Sequence, residues 1–188
     1  MHPVLRASMF ACLASAPACG LAEPSQTRPS GAPSLTEVQA LIGLDRAALL
    51  QRLDATPADL HLGEYGPSKN MEAIRTRPPI AGTVFLEDGR VVLVSLYGGL
   101  TPSPEPTVFA ALRADDLAST HPDAHALPSR SGKQFSHFVA AEAGLAWSAG
   151  EGTVTFVEVF VPTDVETYRQ RFYQDPGVLY KCPALARG

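Results

Sequence analysis

Apolar residues follow a helical period near the start of the folded part of the chain. Ser34 and Glu37 have the spacing of a capping box, and the apolar positions after them recur at helical intervals until Gly43. Asp45 opens a second short helix, and Pro57 prevents a long continuation. The pattern therefore predicts two short helices before the first strand.

A β-hairpin is the clearest strand signal, over residues 82–97. Two apolar runs flank Asp88 and Gly89, and an Asp-Gly pair supplies the positive φ that tight hairpin turns require. The second run is almost entirely apolar, so we expect both faces of its strand to be covered.

Residues 144–173 form a second unit of this kind, with a strand pair around a Gly-rich turn and then a helix. The capping-box spacing of Thr163 and Glu166 predicts the start of that helix, and Val165, Tyr168 and Phe172 form its inner stripe. The two strand pairs share residues if the second turn has one extra residue. The matches are Ala81, Gly82, Phe85, Gly89, Val91, Val94 and Tyr97 with Ala143, Gly144, Trp147, Gly152, Val154, Val157 and Phe160.

This similarity has two explanations. Either the chain contains an internal duplication, or two hairpins have drawn on the same few strand-forming residues.

The segments between these units carry weaker signals. Residues 60–65 fit a short strand, and the apolar residues after position 107 favour a short helix that continues toward Leu117. Residues 121–132 combine turn residues without apolar periodicity, which predicts a long surface loop. Residues 135–139 fit either a helix or a strand.

These elements predict an α+β fold: a mostly antiparallel sheet built from two related β-hairpin units, with helices packed on it. We expect one domain over residues 35–188, with two related halves at residues 35–120 and 121–188.

The N-terminus has the pattern of an export signal over residues 1–22, with one early positive charge and then an apolar run too short to span a bilayer. Cleavage after Ala22 and lipoprotein processing at Cys19 are both open. Residues 23–34 are rich in Pro, Ser and Gly, which predicts a disordered tether. The expected location is the periplasm or, through a lipid on Cys19, a membrane surface.

Composition excludes some classes of function. The net charge of −4 supplies no cationic surface for phosphate backbones, so nucleic-acid binding is not expected. Membrane contact is expected only through the lipid anchor. Three cysteines, two of them in or beside the signal, leave no disulfide framework. No phosphate-binding or other cofactor motif is present, so no cofactor is expected.

A group of imidazoles and carboxylates offers one alternative chemistry. His121, Asp123, His125 and His137 contain the ligand types that hold zinc. Pro122 disfavours the helix on which His121 and His125 would share a face, so a solvated loop accounts for the same residues. No Gly-x-Ser-x-Gly elbow supports serine catalysis.

Two further features concern a buried charge and a partner surface. Alternation along the strand places Glu158 on one face with Phe156 and Phe160, where it needs a partner such as Arg169 or Arg171. A structural ion pair and a catalytic carboxylate are both open, and no second convergent acid supports catalysis. Trp147, Tyr173 and Tyr180 are the candidate partner-binding aromatics, with core packing as the alternative.

The run from Gly43 to Leu53 resembles the helix opening of small outer-membrane assembly lipoproteins of the SmpA/OmlA family and of the related β-lactamase-inhibitor fold. The family continues with Gly-x-Pro, where this chain has Asp54, Ala55, Thr56 and Pro57.

The expected function is that of an exported, non-enzymatic protein that binds another protein. An inhibitor or immunity role and an envelope-assembly accessory role both fit. The competing class is an exported hydrolase or metal-dependent enzyme that uses residues 121–137.

Overall fold

A computed structural model describes residues 33–63, 69–78, 80–97, 107–129 and 134–173. The helices are α1 (Leu35–Gln39), α2 (Arg46–Arg52), α3 (Ala114–Thr120) and α4 (Val165–Arg171). The strands are β1 (Leu60–Leu62), β2 (Glu72–Thr76), β3 (Gly82–Glu87), β4 (Arg90–Tyr97), β5 (His125–Pro128), β6 (Ser136–Ala140), β7 (Leu145–Gly150) and β8 (Thr153–Phe160). Short 3₁₀ turns lie at Pro57–Asp59, Val108–Ala111 and Ala141–Ala143.

The eight strands form a single antiparallel sheet in the order β1-β2-β3-β4-β8-β7-β6-β5. The first four strands follow one another as neighbours, and so do the last four. Pairing of β4 with β8 joins the two sets at the centre. The fold class is therefore α+β with a dominant antiparallel sheet, as the sequence predicts.

The helices divide the two faces of the sheet between them. Alternate strand residues such as Val84, Val94 and Val157 pack with α1, α2 and α3 in one apolar cluster. On the opposite face, Phe85, Leu93 and Phe160 pack against the aromatic residues of α4. We call this second side the α4 face. None of the helices within the described ranges is long and apolar enough to cross a membrane.

Local signals place most of the helix starts. Ser34 and Glu37 form the predicted capping box, and Asp45 caps α2 through the amide of Ala48. The expected cap at Thr163 is one residue early. The Asp164 carboxylate instead accepts from the amide of Thr167, because that carboxylate lies within reach of the first free amides of α4.

The structure corrects or decides several of the predicted elements. The loop expected at residues 121–132 contains β5, and residues 135–139 adopt the strand alternative in β6. The predicted helix toward Leu117 is interrupted at Leu112 and Arg113, between a 3₁₀ turn and α3. At the end of the predicted tether, Pro33 is buried and Ser34 caps α1, so both belong to the folded body.

The two central hairpins have turns of the same length, so the extra residue expected in the second turn is absent. Asp88-Gly89 and Glu151-Gly152 each have positive φ at both positions, as the tightest hairpin turns require. Each hairpin has a register shift that is separated from the turn by two residue pairs. The shifts lie between Phe85 and Leu86 and between Ser148 and Ala149.

The central strand pair has a symmetric register. Val91 and Val154 occupy equivalent places beside the two shifts, opposite Leu86 and Ala149. Counting onward from each valine, the equivalent residues are Leu93 and Phe156, Ser95 and Glu158, and Tyr97 and Phe160. Leu93 pairs with Phe160, Tyr97 pairs with Phe156, and Ser95 pairs with Glu158. If each residue of β4 is exchanged with its equivalent in β8, the same set of paired positions results. The pair of Ser95 and Glu158 lies at the centre of this symmetric arrangement.

Candidate functional site

A buried polar network lies on the α4 face at the centre of the sheet. Its strand members are Ser95 of β4, His137 of β6, Ser148 of β7 and Glu158 of β8, and α4 contributes Tyr168. Each of these side chains is at most 3% exposed. Directly paired residues of an antiparallel sheet share a face, so the pairs Ser95 with Glu158 and His137 with Ser148 place all four strand groups together.

Tyr168 connects the two ionisable groups of the network. Its hydroxyl donates to Oε2 of Glu158 at 2.5 Å and lies 2.8 Å from Nε2 of His137. Since a tyrosine hydroxyl has one hydrogen, Nε2 of His137 must be the donor in its bond to Tyr168. In the neutral imidazole, Nδ1 then accepts from the hydroxyl of Ser148, 2.9 Å away. Every donor in this chain therefore points toward Glu158.

The second carboxylate oxygen of Glu158 accepts from the hydroxyl of Ser95 at 3.3 Å. Glu158 lies on one face with Phe156 and Phe160, as predicted, but the expected arginine partner is wrong. Arg169 pairs with Glu166, and Arg171 pairs with Glu87 on β3. Arg169 is exposed on the outer side of α4 and Arg171 reaches β3, whereas Tyr168 is on the inner side and reaches the carboxylate.

These hydrogen bonds connect Ser148 and His137 to Glu158 through Tyr168. Ser148 and His137 are both fully enclosed at 0% exposure, so a substrate cannot reach them while α4 is in place. The network therefore holds α4 on the sheet: α4 bridges β6 and β8 through Tyr168 and β3 through Arg171.

The predicted metal ligands separate into two places. His121, Asp123 and His125 line a cleft of about 620 Å³ beside the start of α4, together with Glu142 and Asp164. His137 lies in the buried network instead. In the part of the chain that the structure describes, no three His, Cys, Asp or Glu side chains are close enough to share a metal ion.

Two of the predicted partner-binding aromatics are core residues. Trp147 is 1% exposed and stacks on Phe138 beneath the helices. Tyr173 is 7% exposed, and its hydroxyl donates to the carbonyl of Pro128 at 2.8 Å. Burial overturns both as surface anchors. Tyr180 and the candidate lipidation residue Cys19 lie outside the described residues.

Sequence reasoning missed Tyr97 as an exposed aromatic. It is 47% exposed on the α4 face, at the end of β4 away from the β3–β4 turn, and its ring lies 5.5 Å from that of Phe156. The signal was its position at the end of an otherwise buried strand.

Comparison with known proteins adds no family. No family model matches the chain, and no curated protein matches it. Among solved structures, an extracellular protein containing an SCP domain from Bacillus anthracis str. Ames is similar, with a TM-score of 0.44 and 18% identity. The match covers 81% of this chain and 53% of that one, so the chain spans about half the length of the protein it matches.

Proposed function

We propose that this chain is an exported, non-enzymatic protein that binds another protein through the part of the α4 face around the exposed Tyr97. The observation that carries the proposal is the exposed ring of Tyr97 beside Phe156. Tyrosine is enriched among the residues that dominate binding energy at protein interfaces, because its large ring is rigid and its hydroxyl is polar.

The neighbouring strands extend this surface. Arg75 of β2 pairs with Thr83 of β3, and Thr83 pairs with Ser95 of β4, so the three side chains form a row across the sheet next to Tyr97. Arg75 is exposed and Thr83 half-buried. Arginine and tyrosine at the edge of a packed aromatic group are typical of a protein interface.

The proposal also includes export from the cytoplasm and an internal duplication of the chain. The export pattern of residues 1–22 supports a location outside the cytoplasm, with Cys19 as the residue that a lipid would modify. The symmetric register of β4 and β8 supports two related units of four strands, each preceded by short helices. The resemblance of Gly43–Leu53 to assembly lipoproteins favours an accessory role in assembly of the envelope. An inhibitor or immunity role is the second form of the same protein-binding proposal.

A site-specific crosslink tests the proposal. A photoreactive phenylalanine at Tyr97 should capture one protein from envelope extracts, and the same group at Arg169, which is exposed on the outer side of α4, should not. The captured protein is then purified and titrated against the wild type and Tyr97→Ala. We expect the alanine to weaken binding by about tenfold or more, which is typical of a central interface aromatic. Equal affinity for both forms would contradict the proposal.

A further inference from the structure

The symmetric register gives Tyr97 a counterpart that α4 covers. Tyr97 of β4 and Phe160 of β8 occupy equivalent positions. Phe160 is 1% exposed, and the rings of Tyr168 and Phe172 of α4 lie 4.7 and 5.7 Å from its ring. Tyr97 is 47% exposed. One position of the register is therefore covered by a helix, and its equivalent is an exposed aromatic surface.

The equivalence extends to the strands on either side of the central pair. Pairing of β3 with β4 and of β7 with β8 makes Thr83 the counterpart of Ala146. Pairing of β2 with β3 and of β6 with β7 then makes Arg75 the counterpart of Val139. Val139 is buried beside the first turn of α4, where it lines a cleft together with Val165. Arg75 therefore lies where a helix docked like α4 on the equivalent surface would begin.

The last turn of α4 marks the other end of its docking site. Arg171 pairs with Glu87, which precedes the β3–β4 turn at Asp88. Glu151 is the counterpart of Asp88 in the β7–β8 turn, and it is exposed. A helix docked in the same way on Tyr97 would therefore end near Glu151.

The charges at the two ends of this surface complement the ends of a helix. Arg75 favours an acidic residue in the first turn of a docked helix, and Glu151 favours a basic residue in its last turn. Both preferences agree with the helix dipole. The sequence of α4 has this pattern itself, with Glu166 in its first turn and Arg169 and Arg171 in its last turn.

The sequence that follows β4 differs from the one that follows β8. Residues 98–106 contain three prolines and no aromatic residue, whereas α4 has an aromatic stripe made of Tyr168 and Phe172. The segment directly after Tyr97 therefore lacks such a stripe, which favours another molecule as its source.

We propose that the surface around Tyr97 binds an amphipathic helix of the partner protein, in the way that α4 packs around Phe160. The partner helix has an acidic first turn, large apolar residues four positions apart in its middle and a basic last turn. Helices that dock on a protein surface bind through such regularly spaced apolar residues. This helix would meet the chain at the surface named in the proposed function, on which the inference rests.

NMR titration of the full chain at constant ionic strength tests the inference. The probe is a synthetic peptide with the sequence of residues 163–173, bridged covalently between positions 167 and 170, because so short a helix is unstable in water. We expect saturable shifts of the Tyr97 and Thr83 signals, and none with a peptide that has alanine in place of Tyr168 and Phe172. Shifts confined to Phe160, from exchange with α4 itself, or the absence of saturation would overturn the inference.

Variants test the aromatic contact and the direction of the helix. Tyr97→Ala should weaken peptide binding by about tenfold. Arg75→Glu should weaken it by about fivefold, and a peptide with Glu166→Lys should restore binding to this variant. Arg169→Glu makes the same charge change on the outer side of α4, so it is the matched control and should bind like the wild type. Equal weakening by the two charge variants, or no rescue by the lysine peptide, would refute the docking.

The photoreactive group at Tyr97 distinguishes a failure of the helix from a failure of the proposed function. Mass spectrometry locates the crosslinked residue in the captured protein, and a structure of that protein shows the element that contains it. A crosslink in a strand or loop would refute the helix and leave the proposed function intact. Capture of no protein would refute the proposed function, whereas the peptide titration decides separately whether the surface accepts a helix.

Discussion

Tyr168 is the residue on which the α4 face depends. It is fully buried, and its hydroxyl is the link between Glu158 and His137. Burying a carboxylate is costly unless hydrogen bonds compensate its charge. The loss of this one oxygen therefore affects two other buried groups.

Tyr168→Phe should lower the free energy of unfolding by about 1–3 kcal/mol, because it leaves polar groups buried without their partner. Urea denaturation followed by circular dichroism measures the change. Tyr173→Phe is the control: its hydroxyl donates to a single backbone carbonyl, and we expect a smaller loss of about 0.5–1.5 kcal/mol. Equal losses would show that the network adds nothing to the attachment of α4.

Asp164 makes the stability of α4 depend on pH. The amide and then the hydroxyl of Thr167 hold the pKa of Asp164 below its ordinary value. A lowered pKa contributes stability above the ordinary value, and this contribution is lost as the pH falls through the lowered one. The difference in melting temperature between wild type and Asp164→Ala should therefore shrink between about pH 7 and pH 2.

Asp164→Asn provides the control for this titration, because its amide oxygen caps the helix without titrating. Its stability relative to Asp164→Ala should not follow the same titration. A constant difference between wild type and Asp164→Ala across this range would contradict the assignment.

At the residue scale, the sequence identified Glu158 as an exceptional buried charge and placed it on the correct face. It did not identify the partner. The contact with Tyr168 depends on the angle at which α4 crosses the strands. That angle cannot be predicted from a local sequence pattern. Trp147 shows the same limit, since only the packed helices decide that its strand position is enclosed.

At the scale of single elements, Gly144 lets the start of β7 approach the end of β8. It has a φ of +64°, and its carbonyl accepts from the amide of Phe160 at 2.9 Å. A Cβ at this position would overlap the carbonyl oxygen of Phe160. The close approach and the left-handed backbone both require glycine.

Gly144→Ala should destabilise the fold by about 2–5 kcal/mol, because backbone strain and overpacking add. Gly43→Ala is the control: its φ is +81°, but a Cβ there would meet no atom within 4 Å, so we expect only the strain of about 1–2 kcal/mol. Chemical denaturation of both variants checks the ranking. A Gly43→Ala loss as large as that of Gly144→Ala would argue against a steric role.

Element prediction succeeded where the signal is local. Capping residues marked α1 and α2, and a two-residue turn marked the first hairpin. The short strands β2, β5 and β6 were missed or left open, because these segments lack a clear strand pattern. His125–Pro128, for example, has the composition of a loop. Pairing with a neighbour, rather than their own propensity, makes these segments strands.

At the scale of the whole molecule, the sheet is continuous across both halves because β4 pairs with β8. We therefore expect one cooperative unfolding transition. Fluorescence of Trp147, the single tryptophan, and far-UV circular dichroism should give the same urea midpoint. Separate midpoints, or hydrogen exchange at unequal opening free energies in β3 and β7, would show that the halves unfold independently.

The sequence predicted an antiparallel α+β sheet but not the order of its strands. Two similar hairpins can meet along several pairs of edges, and nothing in either hairpin specifies that β4 meets β8. That choice depends on side chains distant in sequence.

If the two halves arose by the duplication proposed above, the central pair of this register, Ser95 and Glu158, has a consequence for the ancestor. In a dimer of two identical half-length chains with the same pairing, this position would face its own copy. Two glutamates would then repel each other, and two serines would leave Tyr168 without a carboxylate. In the proposed duplication, one serine and one glutamate can meet there because both halves belong to a single chain and can diverge. Under the proposed duplication, the buried network is a property that the fused chain permits and a dimer of identical halves could not have had.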